Sequence, residues 1–462
     1  MDDRLADPVA PAGRSELYTA LLRQAGALFS VRGYRATSTR DIAERAGASE
    51  ALLFRHFGTK QQLFRQAILD PFGLAMDGLP AELSSGGGEP IPALIGRLYR
   101  FMAEHRTLFR SLIATSGIGD GPAIELARHG SPLRGLFELV EQRLVAAAGE
   151  PAGALDPPNT ARVVVALVLA SSVLDDWLFV GLAAPPSRDR VVAELDALVL
   201  FGCTGRPGAT PSSRPTPAIP DPAPQDPATP NPAPERSGRE PRPRPRERTK
   251  NRQRRSRYEV RHAVLVAARE LFSAQGYPGT TTQQIATRAH VSETSLYRHY
   301  ANKRTLFEQA IFEPFEQWVT SYLSAWSQSD RSPASLEQQS RSYVTNSYDM
   351  LAGSRGLIRS LIATGVQEPH RSPIEDSPLR EIFPRLEGQL ADLAAANGLT
   401  GLDIEVTIRA TFGMILVLAT MPDWMFDGPG SEPPRDRLIA EMAAVMTFGI
   451  TGREVAAPQG AS

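Results

Sequence analysis

Two stretches of this 462-residue chain are versions of one another. LFSVRGYRATSTRDIAERAGASEALLFRHFGTKQQLFRQAILDPF, residues 28–72, aligns without a gap to LFSAQGYPGTTTQQIATRAHVSETSLYRHYANKRTLFEQAIFEPF, residues 271–315. Phe29 pairs with Phe272, an offset of 243, and about half of the aligned positions are identical. Upstream, Leu17, Leu21, Leu22 and Ala25 recur as Val260, Val264, Leu265 and Ala268, the apolar stripe of a buried helix face. Downstream, RSLIAT at 110–115 returns at 359–364, and SPLRGLF at 131–137 returns as SPLREIF at 377–383. DWLF at 176–179 returns as DWMF at 423–426, and FGCTGR at 201–206 as FGITGR at 448–453. The offset drifts only from 243 to 249, so insertions are confined to small loops. Each copy is a unit of about 200 residues, an ordinary domain size.

Residues 207–255 join the copies and differ from both in composition. A Pro-rich tract, unsuited to helix interiors and central strands, is followed by an Arg-rich run from Arg236 to Arg257. The run reads either as a solvated tail or as an arm that follows DNA phosphates or the minor groove. Within each copy apolar residues recur at helical spacing, broken by Gly and Pro, and no stretch alternates like a half-buried strand. The expected fold class is all-α.

Bulk properties exclude several classes. Net charge is -1, so only local clusters can speak for a charged partner. The apolar run from Val163 to Leu174 falls short of the ~20 residues of a membrane helix and reads as a buried one. The N-terminus has neither the basic nor the apolar region of a signal peptide, and the single Cys203 suits a reducing compartment, so the expected location is cytoplasmic. The seven His residues lack metal-ligand spacing, no P-loop lysine motif occurs, Gly86-Gly87-Gly88 sits in a Ser/Gly loop, and Cys203 has no nucleophile signature. Neither an enzyme, a cofactor nor a metal site is expected.

The 45-residue block carries a DNA-reading pattern. In copy 1 a first helix is expected to end near Arg32, with Gly33 as its stop. Ser38–Asp41 and Thr281–Gln284 fit capping-box starts. A short helix then buries Ile42 and Ala43, Gly47-Ala48-Ser49 forms a tight turn, and Ser49 caps a helix over 50–57. Leu53 and Phe57 point inward, leaving Ala51, Leu52, Arg55 and His56 outside; Gly58 ends the helix and Thr59 opens another. Two short helices around a tight turn, with polar and basic side chains outward, match a helix-turn-helix.

LFSAQGY, TTTQQIA, VSETSLYRHY and KRTLF in copy 2, with LFSVRGY, TSTRDIA, ASEALLFRHF and KQQLF in copy 1, resemble the TetR family of repressors. The resemblance implies two TetR-like units, each an N-terminal three-helix DNA-binding domain plus a C-terminal helical sensor and pairing domain. Domain boundaries are set at 14–74 and 256–316 for the DNA-binding domains, and at 75–206 and 317–453 for the sensor domains. Residues 1–13 and 454–462 are expected to be disordered. It further implies that Thr39 and Thr282 meet phosphate at a helix start, and that Tyr297, Lys303 and Lys60 clamp the backbone, with Phe54 at the position of Tyr297. Ser292, Glu293, Thr294, Ser295, Arg298 and His299 would face the major groove, as would Ser49, Glu50, Ala51, Leu52, Arg55 and His56 in copy 1. Copy 1 departs from the pattern at Phe54, which lacks a hydroxyl, and at Leu52; copy 2 departs at His290, where the turn favours a glycine.

The implied partners are double-stranded DNA, read as an imperfect palindrome because the two readers differ, and a small-molecule effector of unknown identity. The apolar segments Thr160–Val180 with Arg188–Gly202, and Ile404–Phe426 with Arg435–Gly449, are the expected pairing helices. They fit either an internal pseudo-dimer or a homodimer of tandem chains. Tyr99, Phe109, Trp177, Tyr343, Tyr348 and Trp424 fall in the sensor helices and read as core before pocket. A ligand-binding or scaffolding protein whose helix-turn-helix units no longer bind DNA is the alternative.

Overall fold

The first copy opens with α1 (Ala12–Ala36), followed by α2 (Thr39–Arg45), α3 (Glu50–Phe57) and α4 (Lys60–Phe64). A π-helical turn over Arg65–Leu69 joins α4 to α5 (Asp70–Ser84). Its body comprises α6 (Ile91–Glu104), α7 (Arg106–Ser116), α8 (Arg134–Ala148), α9 (Pro157–Val173), α10 (Asp175–Leu178) and α11 (Arg188–Phe201). The second copy repeats this as α12 (Arg257–Gly279), α13 (Thr282–Arg288), α14 (Glu293–Tyr297) and α15 (Lys303–Gln328), then α16 (Leu336–Gly353), α17 (Arg355–Gln367) and α18 (Leu379–Asn397). It ends with α19 (Ile404–Thr420), α20 (Pro422–Met425) and α21 (Arg435–Phe448). This computed structural model describes residues 12–84, 90–116, 133–148, 156–202, 257–328, 336–367, 379–426 and 431–449. The linker 207–255, Gly86–Gly88, Cys203 and both chain ends lie outside them. No strand occurs among the described residues, which are all-α and fall into two units of matching helix order. No described helix is long and apolar enough to cross a membrane.

Gly33 does not stop the first helix as its sequence suggests: α1 runs on to Ala36. Its counterpart Gly276 does break the helix, at φ 71 and ψ 170, a backbone that only glycine adopts without strain. Thr37 and Thr280 close the corner in both copies, donating to the carbonyls of Leu28 and Leu271 at 3.1 Å.

The bodies meet along α9 and α19, which cross with α11 and α21 beside them. α9 is buried from Asn159 to Val173 apart from Arg162, and α19 from Val406 to Thr420 without a break. Helices apolar all round have to be enclosed on every side. Here α6 and α8 cover part of α9, α16 and α18 cover part of α19, and the other copy covers the rest. Most of the polar contacts across this boundary come in mirrored pairs. Thr407 donates to Glu194, and Thr160 donates to Glu441. Arg409 donates to the Leu178 carbonyl at 2.5 Å while Arg162 donates to the Met425 carbonyl at 2.8 Å. Arg409 also lies over the Phe383 ring, as Arg162 lies over that of Phe137. At the rim Arg190 meets Asp403 at 2.5 Å and Arg437 meets Asp156 at 2.7 Å. In each pair residue i of one copy meets residue j of the other and j meets i, the signature of a two-fold interface. The helix ends close on the axis at Gly202 and Gly449, where a Cβ on either would come within 2.5 Å of the other's backbone nitrogen.

Arginines join these paired helices to the N-terminal domains. Arg106 and Arg110 on α7 donate to the Ser172 and Val173 carbonyls at the end of α9. Arg355 and Arg359 on α17 do the same for Ala419 and Thr420 at the end of α19. Cations belong at helix C-termini, where carbonyls are left unpaired. Asp175, Asp176 and Asp423 balance the charge, at 2.7 Å from Arg106, 2.8 Å from Arg110 and 3.0 Å from Arg359. Burial pushes the Asp175 carboxyl up to about 6. Burial also acts against Asp176, but the Arg110 guanidinium holds it below the usual carboxylate range. α7 packs on α1, α17 packs on both α12 and α1, and α7 packs on α17. The N-terminal helical domains are thus seated on the same helices that these arginines tie to the interface.

Candidate DNA interface

Each reading unit is held by its caps and turn. Ser38 accepts from the Arg40 and Asp41 amides, and Thr281 with Gln284 forms a complete capping box. The turns close through Ala48 N–H to the Ala43 carbonyl at 2.8 Å and Val291 N–H to the Ala286 carbonyl at 2.9 Å. Both turns need a left-handed residue: Gly47 takes it at φ 70, and His290 at φ 57 is the single non-glycine with positive φ among the described residues. Ser49 then caps α3 by accepting from Leu52 N–H at 3.3 Å, and Ser292 caps α14 by accepting from Ser295 N–H at 3.1 Å.

Leu53, Phe57, Leu296 and Tyr300 anchor the reading helices in the core. Tyr300 also donates to the Arg261 carbonyl at 3.2 Å, and burial pushes its phenol up to about 12. Phe57, its counterpart, has no hydroxyl and stacks on Tyr18 at 5.1 Å. The opposite side of the helices presents the expected residues to solvent. Ser49, Glu50, Ala51, Phe54 and Arg55 are exposed, with Leu52 and His56 half-buried. Ser292, Thr294, Tyr297 and Arg298 are exposed, with Glu293, Ser295 and His299 half-buried.

The structure adds a constraint on the glutamates. Glu50 accepts from the Thr39 hydroxyl at 2.5 Å and Glu293 from Thr282 at 2.6 Å. Since Thr282 has one proton and gives it to Glu293, the Tyr297 hydroxyl, 3.0 Å away, is the donor to Thr282. Glu50 and Glu293 therefore turn toward the starts of α2 and α13. Copy 1 has no third member of this chain, because Phe54 replaces the tyrosine and leaves a ring that is 40% exposed.

Lys60 and Lys303 are half-buried, with their ammonium groups 4.6 Å and 4.3 Å from the ring centroids of Tyr34 and Tyr277. Burial lowers the pKa of both. The rings belong to matching clusters, Phe29–Tyr34–Phe64 and Phe272–Tyr277–Phe307, with centroids 4.8–6.0 Å apart. The tyrosine of the GY pair is thus a seat for the lysine, a role its sequence spacing alone did not reveal. A cation over a ring keeps its charge while the stem is packed away. Among the described residues no group of three or more His, Cys, Asp or Glu is placed to hold a metal ion.

The profile "Bacterial regulatory proteins, tetR family" matches residues 21–67 and again 264–310, the two blocks just described. The chain is 52% identical over 63 residues to the HTH-type transcriptional repressor Rv3405c of Mycobacterium tuberculosis, covering 14% of this chain and 33% of that protein. It is 38% identical over 63 residues to the HTH-type transcriptional repressor KstR2 of Mycolicibacterium smegmatis, covering 14% of this chain and 29% of that protein. The chain spans about a third of the length of these curated relatives. The solved structure of the transcriptional regulator FadR from Bacillus subtilis in complex with stearoyl-CoA aligns at 20% identity and a TM-score of 0.30, covering 40% of this chain and 95% of that one. Both helix-turn-helix blocks match this profile, so the chain carries the N-terminal unit of the tetR family of bacterial regulatory proteins twice.

Proposed function

We propose that this protein is a sequence-specific DNA-binding transcriptional regulator, a repressor released by a small-molecule effector, in which one chain supplies both DNA readers. Residues 14–74 and 256–316 are the reading domains, and 75–206 and 317–453 the sensing and pairing domains. The carrying observation is the mirrored set of contacts between the bodies, Thr407 with Glu194 and Thr160 with Glu441 above all. Two readers on a two-fold body address two half-sites one DNA turn, or a multiple of it, apart. Since Leu52 faces DNA in one reader and Ser295 in the other, the operator is an imperfect palindrome.

In this reading Thr39, Thr282, Tyr297, Lys60 and Lys303 bind phosphate and set register, and the remaining exposed residues of α3 and α14 meet base edges. Phosphate replaces Glu50 and Glu293 as the partner of the threonines. The protein acts in the cytoplasm, where its DNA is. A footprint on the DNA upstream of its own gene tests the proposal. Two unequal protected half-sites, lost steeply as salt rises, are expected. Salt-insensitive or absent protection would leave a ligand-binding or scaffolding role.

A further inference from the structure

One difference between the two bodies is chemical. In the second copy a cavity opens between α16, α18 and α19, with Tyr322, Ser340, Tyr343, Leu390, Thr411 and Met446 among its walls. Among the described residues no charged side chain lines it. Tyr343 is 5% exposed, yet its hydroxyl has no hydrogen-bond partner of good geometry, and neither has the buried Ser347 hydroxyl below it on α16. The Trp318 indole N–H, on the ring that stacks against Tyr322 at 5.8 Å, is a third buried polar atom without a partner.

Unpaired polar atoms in a core cost free energy and call for an explanation. The first copy shows that the fold does not need them. Position for position, Trp318, Tyr322, Ser340, Tyr343, Ser347 and Thr411 replace Ala75, Leu79, Ile91, Leu94, Leu98 and Val164. The last five of these are aliphatic core residues no more than 5% exposed. At these positions the copies have therefore diverged, toward buried aliphatic side chains in one and a polar-spotted cavity in the other.

We infer that each chain has a single effector site, the cavity of the second body, and that it takes a neutral, largely apolar molecule carrying a hydrogen-bond-accepting oxygen that meets the Tyr343 hydroxyl. This rests on the regulator reading above and adds to it which copy senses and what chemistry it senses. A charged ligand would lose its hydration with no counter-charge on these walls. Burial raises the Tyr343 phenol, an effect Tyr322 adds to and the neighbouring Thr411 hydroxyl tempers, so the group stays protonated and acts as a donor. The site reaches the pairing helices directly. Thr407, another wall residue, is the donor to Glu194 of the first copy, and α19 is the helix whose last carbonyls Arg355 and Arg359 hold.

Titration of the full chain with Prodan, a neutral naphthalene ketone whose emission reports polarity and hydrogen bonding, tests this. One saturable site per chain is expected, with the anionic dye anilinonaphthalene sulfonate bound about tenfold more weakly or worse. Ser340→Phe should block the site and weaken Prodan by about tenfold or more. Tyr343→Phe, which keeps the volume and guards against a misfolded blocking variant, should weaken it several-fold and shift the bound emission to the blue. No saturable binding, two equal sites, a preference for the anion, or indifference to both variants overturns the proposal. DNA binding of the same samples is measured alongside. Loss of Prodan binding with salt-dependent DNA binding intact rejects the site alone, whereas Prodan bound as expected by a chain that never binds DNA rejects the regulator reading alone.

Discussion

The Thr407 hydroxyl of one copy donates to the Glu194 carboxylate of the other, in a boundary where both residues are at least 96% buried. Glu194 also accepts from the Asp403 backbone N–H at 3.3 Å, and the mirrored Glu441 accepts from Thr160. A carboxylate in such a place is tolerable only with its donors. Thr407→Val should cost about 1.5–3 kcal/mol, the range for a hydrogen bond to a charged group. Urea unfolding measures it, and an unchanged midpoint would mean that the two bodies do not meet this way in solution.

The His290 turn carries strain that its counterpart Gly47 avoids. His290→Gly should stabilise the chain by about 1 kcal/mol, since a left-handed backbone costs a side-chain-bearing residue roughly 1–2 kcal/mol. Gly47→Ala should lower stability by a similar amount. Thermal unfolding of the two variants checks the pair, and shifts of the same sign would contradict the turn assignment.

On DNA, Lys303→Ala should weaken binding to all sequences about equally and flatten the salt dependence, because its partner is phosphate. Ser295→Ala or Arg298→Ala should instead change which sequence is preferred. Phe54→Tyr should tighten binding by about tenfold, toward the lower end of ~1.5–3 kcal/mol for a bond to a charged group, by restoring the donor that Tyr297 provides in the second reader. A gain in affinity on Lys303→Ala, or a loss on Phe54→Tyr, would show that the readers approach DNA differently.

Asp196 on α11 predicts a pH effect. Burial pushes its carboxyl up to about 7, and its Oδ1 has no partner. Unfolded, an aspartate ionises near 3.9, so between about pH 4 and 7 the folded chain holds a proton that the unfolded chain has released. Stability contributed by this group therefore falls as pH rises through that window. Asp196→Asn should stabilise the protein by of order 1 kcal/mol or more at pH 8 and have much less effect near pH 4.5. Equal effects at both would show that Asp196 is already charged in the fold.

The reading units were legible because their logic is local. Caps at Ser38, Ser49, Thr281 and Ser292 sit three residues from the amides they satisfy, and the inward Leu53 and Leu296 repeat with the helix. Gly33 misled because a glycine marks a helix end only where the backbone turns left-handed, as Gly276 does and the run of α1 to Ala36 does not. The interface polar pairs were hidden for another reason. Thr160 and Glu441 lie 281 residues apart, so neither gives a local signal. Only the recurrence of the same types at matching positions, Thr160 with Thr407, Arg162 with Arg409 and Glu194 with Glu441, could have exposed them. The cavity was less legible still. Tyr343 read as core, and buried it is, but whether its hydroxyl finds a partner depends on four helices at once.

The central claim is that one chain is a complete two-reader regulator. Light scattering of the purified protein on a duplex carrying its footprinted site weighs the protein bound per DNA. The account predicts the mass of one chain, 50.1 kDa, on each two-half-site duplex. Twice that mass on one duplex, persisting at low protein concentration, would contradict it.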